Sequence, residues 1–235
     1  MILLLQFRTD ASGWHEVRCF YENMGIPYNE IMIMNGASPN FCSKEFEKAI
    51  DKVEGVIIGG LAEGGYETMN KQIRNTINNL TPGLKKLLDM DKPTLSICFG
   101  TQIIGEMLGV DIVTDKKMAE TGVVDMELTS EGKKDPIFDG VDTKFKVIAA
   151  HKASLKNLPK NTIHLARNDK CSIQAYKHGK SVYAVQFHPE ITFEQFEYRV
   201  SFYPEYKYKK DKSVNGDEIV ADKIVRNFVK LVSNK

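Results

Sequence analysis

The sequence lacks a long apolar run and a clear excess of either charge. Its 32 Lys and Arg residues nearly balance its 31 Asp and Glu residues, so neither nucleic acid nor a membrane surface is favoured as the main partner. The apolar run at residues 1–5 ends at Gln6, which makes it too short for a signal peptide core or a membrane span. We therefore expect no membrane association.

The sequence also lacks any Cys-x-x-Cys pair, which argues against a zinc site and against a disulfide framework. A reducing, cytoplasmic setting is expected, and no spacing of Asp, Glu and His indicates a metal site. With 42% hydrophobic and 27% charged residues, the 235 residues fit one domain, 1–235, with a sizeable core. The four separated cysteines are Cys19, Cys42, Cys98 and Cys171.

Apolar runs alternate with helical periodicity in the first hundred residues, which indicates an α/β fold. Buried strands are predicted at residues 2–7, 28–34, 53–58 and 93–97. Thr81 and Pro82 predict the start of a separate helix over residues 83–90. Strands joined by crossover helices favour a three-layer, doubly wound, mostly parallel sheet. Beyond Gly109, shorter runs separated by turn signals predict additional antiparallel strands.

Residues 93–108 form a pattern typical of a short buried strand, a tight turn and an apolar helix, with Cys98 at the turn. A thiol at this corner lies beside the free N–H groups of a helix N-terminus, which favour the thiolate. Gly100 is the small residue needed where strand and helix pass closely. The position suits a nucleophile, although a buried, inert cysteine is the commoner fate of a lone Cys.

The apolar run at residues 182–187 ends in His188, Pro189 and Glu190. Residues i and i+2 of an extended chain point to the same side, so Glu190 can orient His188. A thiolate nucleophile needs a base, and the base works best when a carboxylate fixes its tautomer. The interpretation is a Cys-His-Glu catalytic triad, with a surface turn as the alternative for the His-Pro-Glu stretch.

These two stretches resemble motifs of the class I glutamine amidotransferases. Residues 96–102 are similar to the family pattern Gly-x-Cys-x-Gly-x-Gln, and residues 186–190 match its distant His-Pro-Glu, usually preceded by Gln-Phe. Residues 56–60 look like the family's strand that ends in a Gly-Gly oxyanion loop. The chain is most similar to the free-standing group that resembles the glutaminase half of GMP synthetase.

The resemblance implies a flavodoxin-like fold of the class I glutaminase type and hydrolysis of the γ-amide of glutamine through a γ-glutamyl thioester. The implied catalytic residues are Cys98, His188 and Glu190. The implied oxyanion and substrate-binding residues are Gly59, Gly60, Phe99, Gln102 and His151. For His151, a buried or solvated side chain without substrate contact is the alternative. This chemistry requires no cofactor, and a separate synthase subunit is the implied acceptor of ammonia.

Three positions depart from the family pattern without removing a triad member. Ser96 replaces the first glycine, Thr101 replaces the common His or Met, and Leu61 replaces the proline that often follows Gly-Gly. These departures affect the expected fit of the substrate more than the expected catalytic chemistry. Two other functions therefore stay open: a γ-glutamyl hydrolase or peptidase that uses the same triad, and a non-catalytic binding protein that keeps the fold.

The family pattern does not explain residues 191–216, where aromatic residues are interleaved with lysines. The segment is interpreted as an aromatic and basic elaboration of the domain. It is predicted to contain a helix from Thr192 packed on the core, followed by a solvated basic loop. A docking surface or a lid is the alternative, and nucleic-acid binding is a weaker one.

Overall fold

The structure is a computed structural model that describes residues 1–62, 65–203, 219–220 and 222–233. The α-helices in these ranges are α1 (Ser12–Met24), α2 (Ser43–Lys52), α3 (Lys71–Asp89), α4 (Phe99–Met107), α5 (Phe193–Val200) and α6 (Asp222–Ser233). The strands are β1 (Ile2–Gln6), β2 (Ile31–Asn35), β3 (Gly55–Ile58), β4 (Thr94–Ile97), β5 (Ile112–Thr114), β6 (Glu120–Leu128), β7 (Lys144–His151), β8 (Ala153–Leu155), β9 (Thr162–Arg167), β10 (Ala175–His178) and β11 (Val182–Val185).

Nine of the strands in the described ranges form one mixed sheet, in the order β2-β1-β3-β4-β11-β10-β9-β6-β7. The strands from β2 to β11 in this order are parallel. The strands from β10 to β7 pair in antiparallel fashion, and β5 and β8 form a small antiparallel pair of their own. The predicted α/β fold, with a parallel first half and added antiparallel strands, is confirmed.

Each face of the parallel region is covered by helices, which is why its strands are apolar throughout. Successive side chains of β1 enter different cores because a strand alternates its faces. Leu4 packs in the core that includes Phe20 of α1 and Phe228 of α6. Leu3 packs in the core that includes Phe46 of α2, together with residues of α3 and α4.

One helix differs from the sequence-based expectation. The prediction of a separate helix opening at Thr81 and Pro82 is wrong, because α3 runs through Pro82. Ile77, Leu80 and Leu84 are buried at helical spacing on both sides of the proline, and Thr81 Oγ1 donates to the Ile77 carbonyl at 2.9 Å. Packing of this continuous apolar face outweighs the ~3 kcal/mol cost of an internal proline.

The sheet brings the two informative stretches of the sequence to the same edge. β4 and β11 are parallel neighbours, with Ile97 opposite Val185, and the Cys98 N–H donates to the Val185 carbonyl at 2.9 Å. β3 lies on the other side of β4 and ends at the Gly59-Gly60 loop. Cys98, this loop and the residues after β11 therefore meet beyond the carboxyl ends of the strands, where such sheets bind ligands.

The helix predicted from Thr192 is present as α5. Thr192 and Gln195 form a reciprocal capping box at its N-terminus, and Phe193 and Phe196 are buried. The predicted basic loop falls largely within residues 204–218, which lie outside the described residues. None of the helices that the structure describes is long and apolar enough to cross a membrane.

Candidate active site

Cys98 occupies a strained turn between β4 and α4. Its φ of 52° and ψ of −103° are rarely adopted by a non-glycine residue, and such strain is concentrated at functional sites. A β-carbon on Gly100 would lie 2.6 Å from the Ile58 carbonyl oxygen, so only glycine lets α4 approach β3 this closely. Cys98 is 8% exposed, and its Sγ lies 3.8 Å from the Ala150 carbonyl oxygen.

Two of the departures from the family pattern connect the turn to β11. Ser96 Oγ donates to the Tyr183 carbonyl at 3.0 Å. Thr101 Oγ1 lies 2.9 Å from the Ser96 carbonyl oxygen and 2.7 Å from that of Val185. Both hydroxyls are buried, so these hydrogen bonds join β4 and the start of α4 to the strand that leads to His188.

His188 and Glu190 lie next to Cys98, and the structure thus brings the three predicted triad residues together. His188 Nδ1 donates to Glu190 Oε1 at 2.9 Å. The His188 N–H donates to the Ile148 carbonyl at 2.8 Å, which anchors the turn after β11 to β7. Glu190 is fully buried, and His188 is 5% exposed.

The electrostatics of the pair favour an imidazolium beside a carboxylate. Burial alone would lower the pKa of His188, but the charge of Glu190 and hydrogen bonds with Cys98 and Glu190 raise it above the ordinary 6.5. Burial alone would raise the pKa of Glu190, but the charge of His188, its hydrogen bond and the charge of Arg199 lower it. His188 is therefore equipped to hold a proton close to the thiol.

Arg199 of α5 completes the surroundings of Glu190. Its Nη1 lies 3.1 Å from Glu190 Oε1, while Nε donates to His15 Nδ1 at 3.2 Å and Nη2 lies 3.5 Å from Cys19 Sγ. Burial and the charge of Arg199 lower the pKa of His15 to about 4, so a neutral imidazole accepts this bond. Asn23 Nδ2 donates to the Glu190 carbonyl at 2.8 Å.

The two expected oxyanion donors have different surroundings. The Phe99 N–H is at the first position of α4, where a helix leaves its N–H groups without intrahelical partners. The Gly60 N–H donates to Glu16 Oε1 at 3.3 Å, and Glu16 is fully buried. Gly59 lies against the same carboxylate, since a β-carbon on it would be 3.2 Å from both Glu16 oxygens. In this conformation the Gly60 N–H is engaged by a carboxylate.

Gln102 and His151 both line the cavity that contains Cys98. Gln102 Nε2 donates to the Ala153 carbonyl at 2.8 Å, which fixes the chain after β7. His151 Nε2 lies 3.2 Å from Glu120 Oε2, and its Nδ1 is buried with no hydrogen bond to a described residue. His151 is thus held by a carboxylate and presents an unused nitrogen.

Sequence reasoning missed Arg8, Glu16, Glu120 and Arg199. Arg8 lies two residues beyond the end of β1, and a charged residue just past the carboxyl end of a parallel strand is a signal that could have been used. The other three gave no local signal, because only the packing of α1, β6 and α5 places them near the site. Arg8, Cys98, His188 and Arg199 line one cavity that opens to solvent.

Sequence comparison matches residues 35–203 to the family described as glutamine amidotransferase class-I. Relatives with similar sequences include A subunits of glutamine-hydrolyzing GMP synthases. That of Methanosphaera stadtmanae is 37% identical over 106 residues, which cover 45% of this chain and 55% of the relative. That of Pyrococcus abyssi is 34% identical over 65% of this chain and 74% of the relative. That of Methanopyrus kandleri is 29% identical over 77% of this chain and 86% of the relative.

Solved structures show the same fold at low sequence identity. A glutamine amidotransferase from Thermotoga maritima superimposes with a TM-score of 0.74 and 16% identity, covering 100% of this chain and 98% of that one. A glutamine amidotransferase from Methylobacillus flagellatus gives a TM-score of 0.68 and 16% identity, with coverage of 97% and 94%. The similarity therefore extends over nearly the whole chain.

Proposed function

The chain belongs to the class-I glutamine amidotransferase family, and from this membership we propose that it hydrolyses the γ-amide of glutamine. The observation that carries the proposal is the contact of Cys98, His188 and Glu190 in a cavity at the carboxyl edge of the sheet. A thiol, a base and a carboxylate that orients the base are the parts that covalent amide hydrolysis needs.

In the proposed reaction, the Cys98 thiolate attacks the γ-carbonyl carbon and forms a C–S bond and a tetrahedral oxyanion. His188, which has taken the thiol proton, gives it to the amide nitrogen as the C–N bond breaks and ammonia leaves. Water then attacks the γ-glutamyl thioester and releases glutamate, with the proton returned to sulfur. Glu190 keeps the imidazole oriented and stabilises its charged form.

The main-chain N–H of Phe99 is proposed as one oxyanion donor. Gly60 is the second donor that the family resemblance implies, and the Gly59-Gly60 loop lies beside the thiol. Its N–H would first have to leave Glu16. Gln102 and His151 are proposed to hold the amino acid end of the substrate, since both line the cavity and His151 Nδ1 has no described partner.

The released ammonia is proposed to serve a separate synthase subunit. The similarity to the A subunits of GMP synthases supports this partner. Purified chain should release ammonia from glutamine, and the rate should rise when the cognate synthase is added. A rate that stays unchanged with every synthase encoded near this gene would contradict delivery to a partner.

Replacement of the nucleophile tests the reaction itself. Cys98→Ala should abolish ammonia release and labelling by a glutamine-like electrophile, whereas Cys42→Ala, which removes an exposed thiol, should change neither. Labelling that survives in Cys98→Ala would count against the assignment. Cleavage of γ-glutamyl dipeptides without ammonia release from glutamine would instead indicate the hydrolase or peptidase, and failure on both substrates would indicate a binding protein.

A further inference from the structure

Because the Gly60 N–H is hydrogen-bonded to Glu16, the proposed reaction lacks one of its two expected oxyanion donors. Glu16 Oε1 accepts from Gly60 at 3.3 Å, and it also accepts from Arg8 Nε at 3.3 Å. A carboxylate held by a buried guanidinium is a stable acceptor, so the Gly60 N–H is not offered to the cavity. An oxyanion formed at Cys98 must therefore find its second donor elsewhere.

Arg8 is the charged group best placed to be that donor. Its side chain is 4% exposed and is fixed on two sides: Nε donates to Glu16, and Nη1 lies 3.2 Å from Ser12 Oγ and 3.3 Å from the Tyr203 hydroxyl. Nη2 makes no hydrogen bond to any residue that the structure describes. Arg8 lines the cavity together with Cys98 and His188, and its Nη2 is the donor left for a ligand.

The position of Nη2 relative to the thiol follows from the surroundings of Gly60. A β-carbon placed on Gly60 would lie 3.1 Å from His188 Cε1, 3.6 Å from Arg8 Nη2 and 3.8 Å from Cys98 Cβ. The guanidinium, the imidazole and the carbon that bears the thiol thus border one small space. An oxygen of a substrate bonded to Cys98 Sγ can enter this space within reach of the guanidinium.

We propose that Arg8 Nη2 donates to the oxyanion of the tetrahedral intermediate, in the role that the Gly60 N–H would otherwise have. The inference rests on the proposed acyl chemistry of Cys98. A fixed cation aimed at developing charge needs no reorganisation during the reaction, which is the condition for strong transition-state stabilisation. Arg8 and Glu16 precede residues 35–203, the range over which the family model matches.

The experiment compares two reactions of the same thiol. Hydrolysis of glutamine or of γ-glutamyl-p-nitroanilide passes through an oxyanion, whereas alkylation of Cys98 by iodoacetamide does not. Arg8→Met is made in a Glu16→Gln background so that no buried carboxylate loses its partner, and Glu16→Gln alone is the reference. Relative to it, the double variant should lose about 10²- to 10³-fold in kcat and keep its alkylation rate.

Three outcomes would overturn the inference. An unchanged kcat would show that Arg8 does not touch the oxyanion, and a parallel fall in alkylation would place its effect on the thiolate. A Glu16→Gln variant that gains activity, with no further effect of Arg8→Met, would identify the released Gly60 N–H as the donor. Where the double variant does not fold, Arg8→Lys keeps the ion pair with Glu16 but lacks the second nitrogen, and it should still lower kcat at least about tenfold.

The second substrate separates this inference from the proposed function. A wild-type chain that cleaves γ-glutamyl-p-nitroanilide but not glutamine would contradict the glutaminase proposal while leaving the comparison of Arg8 variants fully readable. A wild-type chain active on glutamine whose Arg8 variants keep their kcat would contradict the role of Arg8 alone. A chain that cleaves neither has no oxyanion to stabilise, and both proposals would fall.

Discussion

Arg199 and His188 donate to the same oxygen of Glu190, at 3.1 and 2.9 Å. The shared oxygen, Oε1, lies in a fully buried carboxylate. The other oxygen, Oε2, has no hydrogen bond to a described residue. The orientation of Glu190, and through it that of His188, therefore depends on an arginine supplied by α5.

Loss of Arg199 should lower the rate of catalysis and shift the acid limb of the pH–rate profile. Because the charge of Arg199 helps to lower the pKa of Glu190, Arg199→Met should raise that pKa and shift the acid limb of the pH–rate profile to higher pH. We expect kcat/KM to fall about tenfold or more, since the orientation of a general base is impaired. Arg199→Lys should recover part of the loss.

The matched control for this change is Arg167→Met, since Arg167 pairs with Glu127 on the exposed side of the sheet. It should leave the pH–rate profile of glutamine hydrolysis where it is. If Arg199→Met lowered the rate equally at every pH, Arg199 would act only as a structural support. The acid limb is the readout that separates the two roles.

The sequence predicted most of the parallel sheet because its strands are apolar on both faces and are separated by strong turn signals. The sequence also predicted that Cys98 and His188 lie at the ends of strands. The ends of parallel strands meet at one edge of the sheet, so this local prediction also placed the two residues near each other. The first residue of β10 was harder to predict from the sequence. The apolar pattern of residues 172–176 predicts one of the added strands. Asn168 Oδ1, however, accepts from the Cys171 N–H at 2.7 Å and holds a turn, and the strand starts at Ala175.

Hydrophobic periodicity predicts only part of the buried face of α1. Trp14, Val17, Phe20, Tyr21 and Met24 recur at helical spacing, and of these Val17, Phe20 and Met24 are buried. Trp14 belongs to the apolar pattern yet is 76% exposed. His15, Glu16 and Asn23 are buried instead, because this face of the helix packs against the site and carries its polar contacts. Where a helix contributes polar contacts to a site, polar residues take some of its core positions, and hydrophobic periodicity predicts only part of its packing.

Protonation of His188 should make the stability of the protein depend on pH. The folded state raises the pKa of His188 from 6.5 to about 9, so its contribution is complete below pH 6.5 and is lost as the pH rises through the folded value. The free energy of unfolding should fall over this window by at most about 1.4 kcal/mol per pH unit. Urea titrations at several pH values measure it.

His188→Gln should remove this part of the pH dependence, and the difference between wild type and variant isolates the histidine from other titrating groups. His164→Gln on β9 is the control, because the His164 side chain bonds only the Ala166 carbonyl among the contacts described. If the free energy of unfolding of His188→Gln changed with pH as steeply as that of the wild type, the His188 imidazole would not be the group that titrates.

Removal of the His151 imidazole should weaken substrate binding more than the chemical step. His151 is oriented by Glu120 and lines the cavity, and its buried Nδ1 has no hydrogen bond to a described residue. A hydrogen bond between this nitrogen and a charged end of the substrate is worth about 1.5–3 kcal/mol. His151→Asn should therefore raise KM about tenfold or more, while kcat stays close to the wild-type value. A lower kcat at constant KM would place His151 in the reaction itself.

A methyl group on Gly100 should displace the nucleophile. The added β-carbon would lie 2.6 Å from the Ile58 carbonyl oxygen, and because this is a backbone atom, α4 must move away from β3. We expect Gly100→Ala to lower the free energy of unfolding by about 3 kcal/mol. A shift of about 1 Å in Cys98 should cost about a hundredfold in kcat.

Gly105→Ala in the same helix is the matched control. Its β-carbon would lie 2.8 Å from Leu155 Cδ2 and 2.9 Å from Leu155 Cγ. These are side-chain atoms, which can shift with less disturbance than the backbone carbonyl at Ile58. The gain in helix propensity is the same in both variants, about 0.5–1 kcal/mol, so it cancels in the comparison. Urea denaturation and the rate of glutamine hydrolysis should both show a larger loss at residue 100. Equal effects at both positions would mean that the contact with β3 does not set the position of the thiol.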